Sequence, residues 1–513
     1  MNGAQALIGT LAASGIGVCF ANPGTSELHL LQAVDEHPDL RGVLCLFEGV
    51  ATGAADGYGR LAPTPAATLL HQGAGLANGL AHLHNARRAH TPLVTLVGDG
   101  ATTRSALDGP LDCDVEALAR PMSCWVATAT AATDAAAAVE AATRAPGGPA
   151  TLVVPADVAW SPAEPGPAAT PPPPAPAVDE ETLAHVAKVL RAEPHTMLLL
   201  GGPALTPRGL AAADRIAAAT GVAVLTEAFP ARLPRGTGLP RVERLSGDPA
   251  AARARLETFR HLVLAGASRP VAAFAEPGRP GELLPADCAI TSLGTCGDDL
   301  VTALENLADG LAARSRPRLL RRRPPAPQAP ERPLDGSTLA SLVAAALPED
   351  AIVVDESNTF GGVLSDALAT ASRHDLLTLC GFAIGQGLPL SIGAALACPG
   401  RPVLCLEADG SAMYSLSALW TQAREGLDIT TVVLDNGGYA ILRRESRRLL
   451  GEQTVLSPLF DIRAPAVDFA ALSTGLGVPA SRAHTSGELA AQLARALSES
   501  GPHLIQVTLP ALH

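Results

Sequence analysis

Lysine is almost missing from this sequence: Lys188 is the only one among the 37 basic residues. It lies in an ordinary helical pattern, Leu183 to Leu190, away from any glycine-rich turn. A Walker-type lysine or a Schiff-base lysine is therefore not expected. The nine cysteines are scattered singly, with no Cys-x-x-Cys spacing. In a long chain without a signal-peptide pattern they read as reduced thiols, and the expected location is cytoplasmic. No apolar run is long enough to span a bilayer, so no membrane role is expected. Positive charge is in deficit overall: the formal net charge is −13, which argues against a nucleic-acid partner or an anionic membrane surface.

What is present is a long, apolar, foldable chain. Hydrophobic residues make up 47% and charged residues 17% of 513 positions, the balance of a folded protein rather than a disordered one. That length exceeds one core and suggests about three domains. Proline marks the joints. Ser161 to Val178, with Pro171 to Pro174 consecutive, and Arg314 to Pro333 read as extended linkers. The expected domains are residues 1–165, 179–313 and 334–513. Within each, short apolar strands alternate with helical patterns: Gly17 to Phe20, Gly42 to Phe47, Ala66 to Leu70, Leu93 to Val97 and Ala150 to Val154 in the first. Thr196 to Leu200, Val222 to Leu225 and Leu262 to Leu264 follow in the second, then Ile352 to Val354, Val403 to Leu406, Thr431 to Leu434 and His503 to Thr508 in the third. This alternation predicts an α/β protein of three doubly wound, parallel-sheet domains.

The most informative stretch is Leu404 to Ser411, answered by Val432 to Gly438. Each half reads as a buried strand running into a glycine-containing turn, with Ser415 to Gly426 as a helix between them. Asp409 and Asn436 therefore fall at the carboxyl edge of a parallel sheet, where α/β folds place ligands. The Asp409 carboxylate, the Asn436 amide oxygen and a carbonyl near Gly438 are three hard oxygen donors of the kind magnesium takes while keeping places for phosphate and water. Gly410 lets backbone N–H groups approach a diphosphate, which a helix N-terminus favours. Singly, Asp-Gly and Asn-Gly are common turn formers; together, at this spacing, the two turns are far more specific.

This pairing resembles the diphosphate–magnesium motif of thiamine-diphosphate enzymes, in the acetolactate synthase-like and benzoylformate decarboxylase-like branch, with Ala408 where the first glycine usually stands. The resemblance covers nearly the whole chain and implies a pyrimidine-binding, a central and a diphosphate-binding domain. It implies the cofactors thiamine diphosphate and Mg2+, and metal ligation by Asp409, Asn436 and Gly438. Diphosphate contacts are implied at Gly410, Ser411 and Tyr439. The stretch Asp355 to Thr359, which leaves a strand, reads either as an ordinary N-cap cluster or as a source of hydroxyl and amide donors to that diphosphate, through Asn358 and Thr359, and the two readings are compatible.

Glu48 ends the apolar strand Val43 to Phe47 and is followed by the small-residue helix Gly49 to Gly59, so its carboxylate is expected to be partly buried and suited to proton exchange. A helix-initial glutamate that merely favours the dipole is the simpler alternative. By resemblance, the pattern Glu48, Ala55, Asp56, Gly57, Tyr58 makes Glu48 the residue that hydrogen-bonds the cofactor's aminopyrimidine. His71, after strand Ala66 to Leu70, is expected at the same cleft; it is either structural or, by resemblance, a proton carrier. Gln72 replaces the serine that follows this histidine in the family. Thr25 either caps a helix or, by resemblance, contacts the substrate carboxylate. Ile384, aligned through Leu388-Pro389, matches the apolar wedge that bends the cofactor, with Gly385 freeing the adjacent backbone.

The activity implied is decarboxylation of a 2-oxo acid, followed by protonation of the product fragment or its ligation to a second carbonyl. A simple decarboxylase and a non-catalytic cofactor-binding subunit are the competing readings. FAD is not expected, since Gly201-Gly202-Pro203 and Leu264 to Ala267 lack the G-x-G-x-x-G spacing. A nicotinamide-dependent dehydrogenase is disfavoured on the same spacing. The family builds its sites between subunits, so a homodimer or homotetramer is the expected form.

Overall fold

The computed structural model describes every residue except 105–106, 194, 275–277, 279–280, 314–316, 321–332, 452–457 and 511–513. Three sheets organise the chain, each parallel or nearly so. The first holds β1 (Val18–Asn22), β2 (Arg41–Leu44), β3 (Ala66–His71), β4 (Leu93–Asp99), β5 (Trp125–Thr128) and β6 (Pro149–Pro155), in the order β2-β1-β3-β4-β6-β5. The second, β10-β8-β7-β11-β12, uses β7 (Thr196–Leu200), β8 (Ala223–Thr226), β10 (Glu243–Arg244), β11 (His261–Ala265) and β12 (Ala289–Gly294). The third uses β13 (Ala351–Glu356), β14 (His374–Thr378), β15 (Val403–Ala408), β16 (Ile429–Asp435), β17 (Ala480–Ala483) and β18 (His503–Thr508). Its order is β17-β18-β16-β15-β13-β14-β9, where β9 (Leu233–Arg235) comes from between β8 and β10 and lies antiparallel on β14. The three α/β sheets match the expected architecture.

The central strands are buried on both faces, which is why they read as continuous apolar runs. Reversal of strand order opens a crevice at the carboxyl edge of each sheet. In the first sheet it lies between β1 and β3, in the second between β7 and β11, and in the third between β13 and β15. Residues 163–178 form no helix or strand, as the proline run requires. Of the second proposed linker, Arg314 to Pro333, most lies outside the described residues.

Two helices join the first and third sheets. Helix Glu48–Gly59 is built mostly of alanine, glycine and threonine and packs on helix Gly387–Ala397. The approach is close enough that a Cβ on Gly393 would sit 1.9 Å from the Ala54 carbonyl oxygen. One core runs through both units, from Val50 and Ala54 to Ile352 and Leu388. Across it the buried Asp56 receives Arg60 Nε at 2.8 Å and Nη2 at 2.6 Å, with Thr91 Oγ1 at 2.6 Å. Arg60 Nη1 also donates to the Thr378 and Ala231 carbonyls at 2.7 and 3.2 Å, and Gln386 Nε2 donates to Asp56. A buried ion pair is stable only when its remaining donors and acceptors are satisfied, and here segments near all three sheets supply them.

Candidate active site

At the first crevice, β1 runs out into Asn22-Pro23-Gly24 and β3 ends on His71. The short turn Thr25–Glu27 folds back so that the Glu27 carboxylate accepts the Gly24 N–H at 2.9 Å. His71 Nδ1 lies 2.8 Å from Glu27 Oε2. Glu27 is fully buried, and burial pushes its carboxyl up, partly offset by the His71 contact. With Nδ1 engaged, any proton exchanged with a ligand leaves or enters His71 at Nε2. Thr25 does not cap a helix: Gly24 precedes the turn and Glu27 satisfies its backbone, which leaves the Thr25 side chain exposed.

Glu48 does not end a strand as expected. β2 stops at Leu44, and Glu48 is the first residue of helix Glu48–Gly59. Its side chain is 8% exposed and accepts Asn78 Nδ2 at 3.0 Å. Glu48, Glu27 and His71 therefore gather in one sector of the first unit, linked by helix Gln72–Arg88, which follows His71 and carries Asn78. Gln72 opens that helix with φ of 49° and donates to Ser26 Oγ.

At the third crevice, β15 delivers Asp409 into a short helical turn, Asp409–Ala412. The helix expected over Ser415 to Gly426 is shorter, Ala418–Glu425, because residues 413–417 form turns before it and Gly426 ends it in the left-handed conformation. Asp409 is 2% exposed. Its Oδ1 accepts the Gly410 N–H at 2.8 Å; its Oδ2 accepts those of Asn436, Gly437 and Gly438 at 3.1, 2.8 and 3.2 Å. Burial, with Asp435 nearby, pushes the Asp409 carboxyl up to about 6. Asn436 Oδ1 accepts the Gly438 N–H at 3.2 Å, and the Gly438 carbonyl accepts that of Ala440. Ser411 is buried and takes a hydrogen bond from Asn358 Nδ2 at 2.8 Å, while Thr359 follows in the same turn after β13. Tyr439 lies beside Gly410, its N–H held by the Phe460 carbonyl. Ile384 is half-buried, next to Gly385.

The donor set suits a hard divalent cation. A buried carboxylate whose hydrogen-bond partners are all N–H groups carries a charge that no basic side chain among them neutralises. Asp409, the Asn436 amide and the Gly438 carbonyl provide oxygen ligands only, as magnesium prefers. Among the described residues no three His, Cys, Asp or Glu side chains converge on one point, so the cation's remaining places fall to phosphate or water.

Several residues that shape these crevices carry weaker sequence signals. Glu27 has one: it stands three residues beyond Gly24, the spacing at which a glutamate reaches back to the start of a turn. Glu356, at the end of β13, is buried and accepts the Gly385 and Gly387 N–H groups, both at 2.6 Å. Nothing in its apolar strand context distinguishes it from Asp355 before it. Gln72, Asn358 and Phe382 carry positive φ of 49°, 46° and 62°, a conformation costly for such residues that gathers at functional sites. The two clusters remain separate: the described partners of Glu48, Glu27 and His71 lie in residues 24–78, and those of Asp409 in 410–438.

Comparison with known proteins adds a family to this geometry. Residues 1–118 match the N-terminal TPP binding domain of thiamine pyrophosphate enzymes, and residues 366–507 their C-terminal TPP binding domain. The chain is 50% identical, over 100% of both chains, to a Mycobacterium tuberculosis protein named "Putative acetolactate synthase large subunit IlvX". It is 30% identical to the benzoylformate decarboxylase of Pseudomonas aeruginosa, over 96% of each. The solved thiamine diphosphate-dependent 4-hydroxybenzoylformate decarboxylase of Rhodococcus jostii RHA1 superposes with a TM-score of 0.86 at 27% identity, covering 99% of each chain. The matched segments include Glu27, Glu48 and His71 of the first crevice and Asp409, Asn436 and Gly438 of the third, and the chain belongs to the thiamine-diphosphate-dependent enzymes of the acetolactate synthase and benzoylformate decarboxylase family.

Proposed function

We propose that the protein uses thiamine diphosphate and Mg2+ to decarboxylate a 2-oxo acid, in sites completed between two copies of the chain. The observation that carries this reading is the buried Asp409 carboxylate, ringed by N–H groups and joined by the Asn436 amide at a sheet's switch point. Asp409, Asn436 and the Gly438 carbonyl hold the cation. Ser411, Asn358 and Thr359 offer N–H and hydroxyl donors to the diphosphate, beside Tyr439, with Gly410 leaving room for it to approach the backbone. Ile384 and Gly385 support the rings. Bound there, thiamine diphosphate supplies the nucleophilic carbon and the electron sink that loss of carbon dioxide demands.

The remaining steps belong to the chain's own side chains. Glu48, oriented by Asn78, holds a proton shared with the pyrimidine ring. Thr25 offers its hydroxyl to the substrate carboxylate. His71, its Nδ1 fixed by Glu27, moves a proton at Nε2 toward the product carbon, which favours release of an aldehyde. Ligation to a second carbonyl is the other reading, favoured by 50% identity to a protein named for acetolactate synthesis. No flavin is part of the proposal. At the central crevice the Gly202 N–H, which would face a nucleotide phosphate, is directed to the Glu227 carboxylate at 3.2 Å.

Two copies are invoked because each cluster is half a site. Leu28 and Leu46 remain 57% and 46% exposed beside the first, and Met413 and Tyr414 46% and 57% beside the second, apolar surface that a partner would cover. A product survey tests the chemistry: pyruvate, longer aliphatic and aromatic 2-oxo acids, each with and without an acceptor aldehyde. Aldehyde release from one of them is the expected result; acetolactate from pyruvate would favour ligation, and carbon dioxide from none would sink the proposal.

A further inference from the structure

The turn between β14 and helix Gly387–Ala397 is held from two domains at once. From β13, the buried Glu356 accepts the N–H groups of Gly385 and Gly387, both at 2.6 Å, one carboxylate oxygen to each. From helix Glu48–Gly59, Asp56 receives the side-chain amide of Gln386, the residue between those glycines. Gly385 has φ of 87°, so the turn is a left-handed kink that its own residue types do not enforce. The Glu407 carboxyl closes the far side: a Cβ on Gly387 would sit 2.1 Å from its Oε2. Buried hydrogen bonds are strengthened by their low-dielectric setting, and here two of them end on one carboxyl group. None of the roles assigned so far uses Glu356.

We infer that Glu356 is a positioning residue, which sets the Ile384–Gly387 backbone in its cofactor-supporting shape before any ligand arrives. The inference rests on the reading that Ile384 and Gly385 support the cofactor rings. Its physical content is preorganisation: a turn already fixed loses little entropy on binding, whereas a released turn must be ordered at the expense of affinity. Asp56 sits on the helix that Glu48 opens, so the same turn is also tied to the residue proposed to tune the pyrimidine.

Hydrogen–deuterium exchange on the full-length protein without cofactor reads the clamp directly. In Glu356→Ala, exchange at Gly385 and Gly387 is expected to rise by about tenfold or more, with β13 and β15 protected as in the wild type. The thiamine diphosphate concentration that half-saturates binding in the presence of Mg2+, read by calorimetry, should rise by about tenfold. Glu356→Gln keeps one acceptor oxygen and should fall between; it stands in for the alanine variant if that one fails to fold. Unchanged exchange at Gly385 and Gly387, or faster exchange with unchanged cofactor affinity, overturns the inference while leaving the proposed function intact. Wild-type protein that takes up no thiamine diphosphate overturns the proposed function itself, and this inference with it.

Discussion

Glu27 shows how one buried carboxylate can decide what a neighbour does. It is fully buried, and its Oε1 has no hydrogen-bond partner among the described residues, while Oε2 holds both Gly24 N–H and His71 Nδ1. A carboxylate so placed fixes the tautomer and the ring orientation of the histidine, as the acid of a triad does. Glu27→Gln keeps the volume and removes the charge. Steady-state kinetics of this variant should show turnover reduced by about 10²-fold, with the half-saturating cofactor concentration within about twofold of wild type. A parallel loss of cofactor binding would instead mark Glu27 as structural. Asp409, Asn436, Glu48 and His71 were singled out in the sequence because each follows an apolar run; for Asp409, Asn436 and His71 that run is a strand, whose end is where α/β crevices lie, whereas Glu48 opens a helix. Glu27 and Glu356 were not, since their importance comes from partners on other strands or loops, His71 and the Gly385–Gly387 turn.

At the scale of elements, the decisive contact is between two helices with almost no side chain between them. The face of helix Glu48–Gly59 is alanine and glycine, and Gly393 of the opposing helix lies directly on its backbone. Gly393→Ala places a methyl group where the Ala54 carbonyl stands, so the helices must separate. The expected result is destabilisation by about 1–3 kcal/mol, read as a lower midpoint of thermal unfolding; an unchanged midpoint would show that the contact yields freely. The first of these helices was visible as a small-residue pattern after Glu48; the second was not, and neither was their pairing, because sequence periodicity carries no information about which faces meet. The strands divide in the same way. Those buried on both faces were read from apolar runs, whereas β5 and β17 lie at sheet edges with mostly half-buried residues. β14 opens with His374-Asp375, polar residues whose burial depends on long-range partners such as Arg232 and Arg401. β9 joins a sheet built from residues more than a hundred positions away, a pairing that no local signal announces.

For the molecule as a whole, the proposed reading makes one chain carry both halves of a site that only a second copy completes. The core shared by the first and third units, and the Asp56–Arg60–Gln386 network, hold the two crevices in a fixed relation. A second copy related by a twofold axis would then complete two sites together. Mixing two inactive variants tests this most directly. Glu48→Gln and Asp409→Ala are prepared separately, dissociated, combined in equal amounts and reassembled, and turnover of the 2-oxo acid identified in the survey is measured. If sites form between copies, half of the pairs are mixed and each mixed pair holds one intact site, so activity should return to about a quarter of wild type. If Glu48 and Asp409 act within one chain, the mixture stays as inactive as its components, and the account is contradicted.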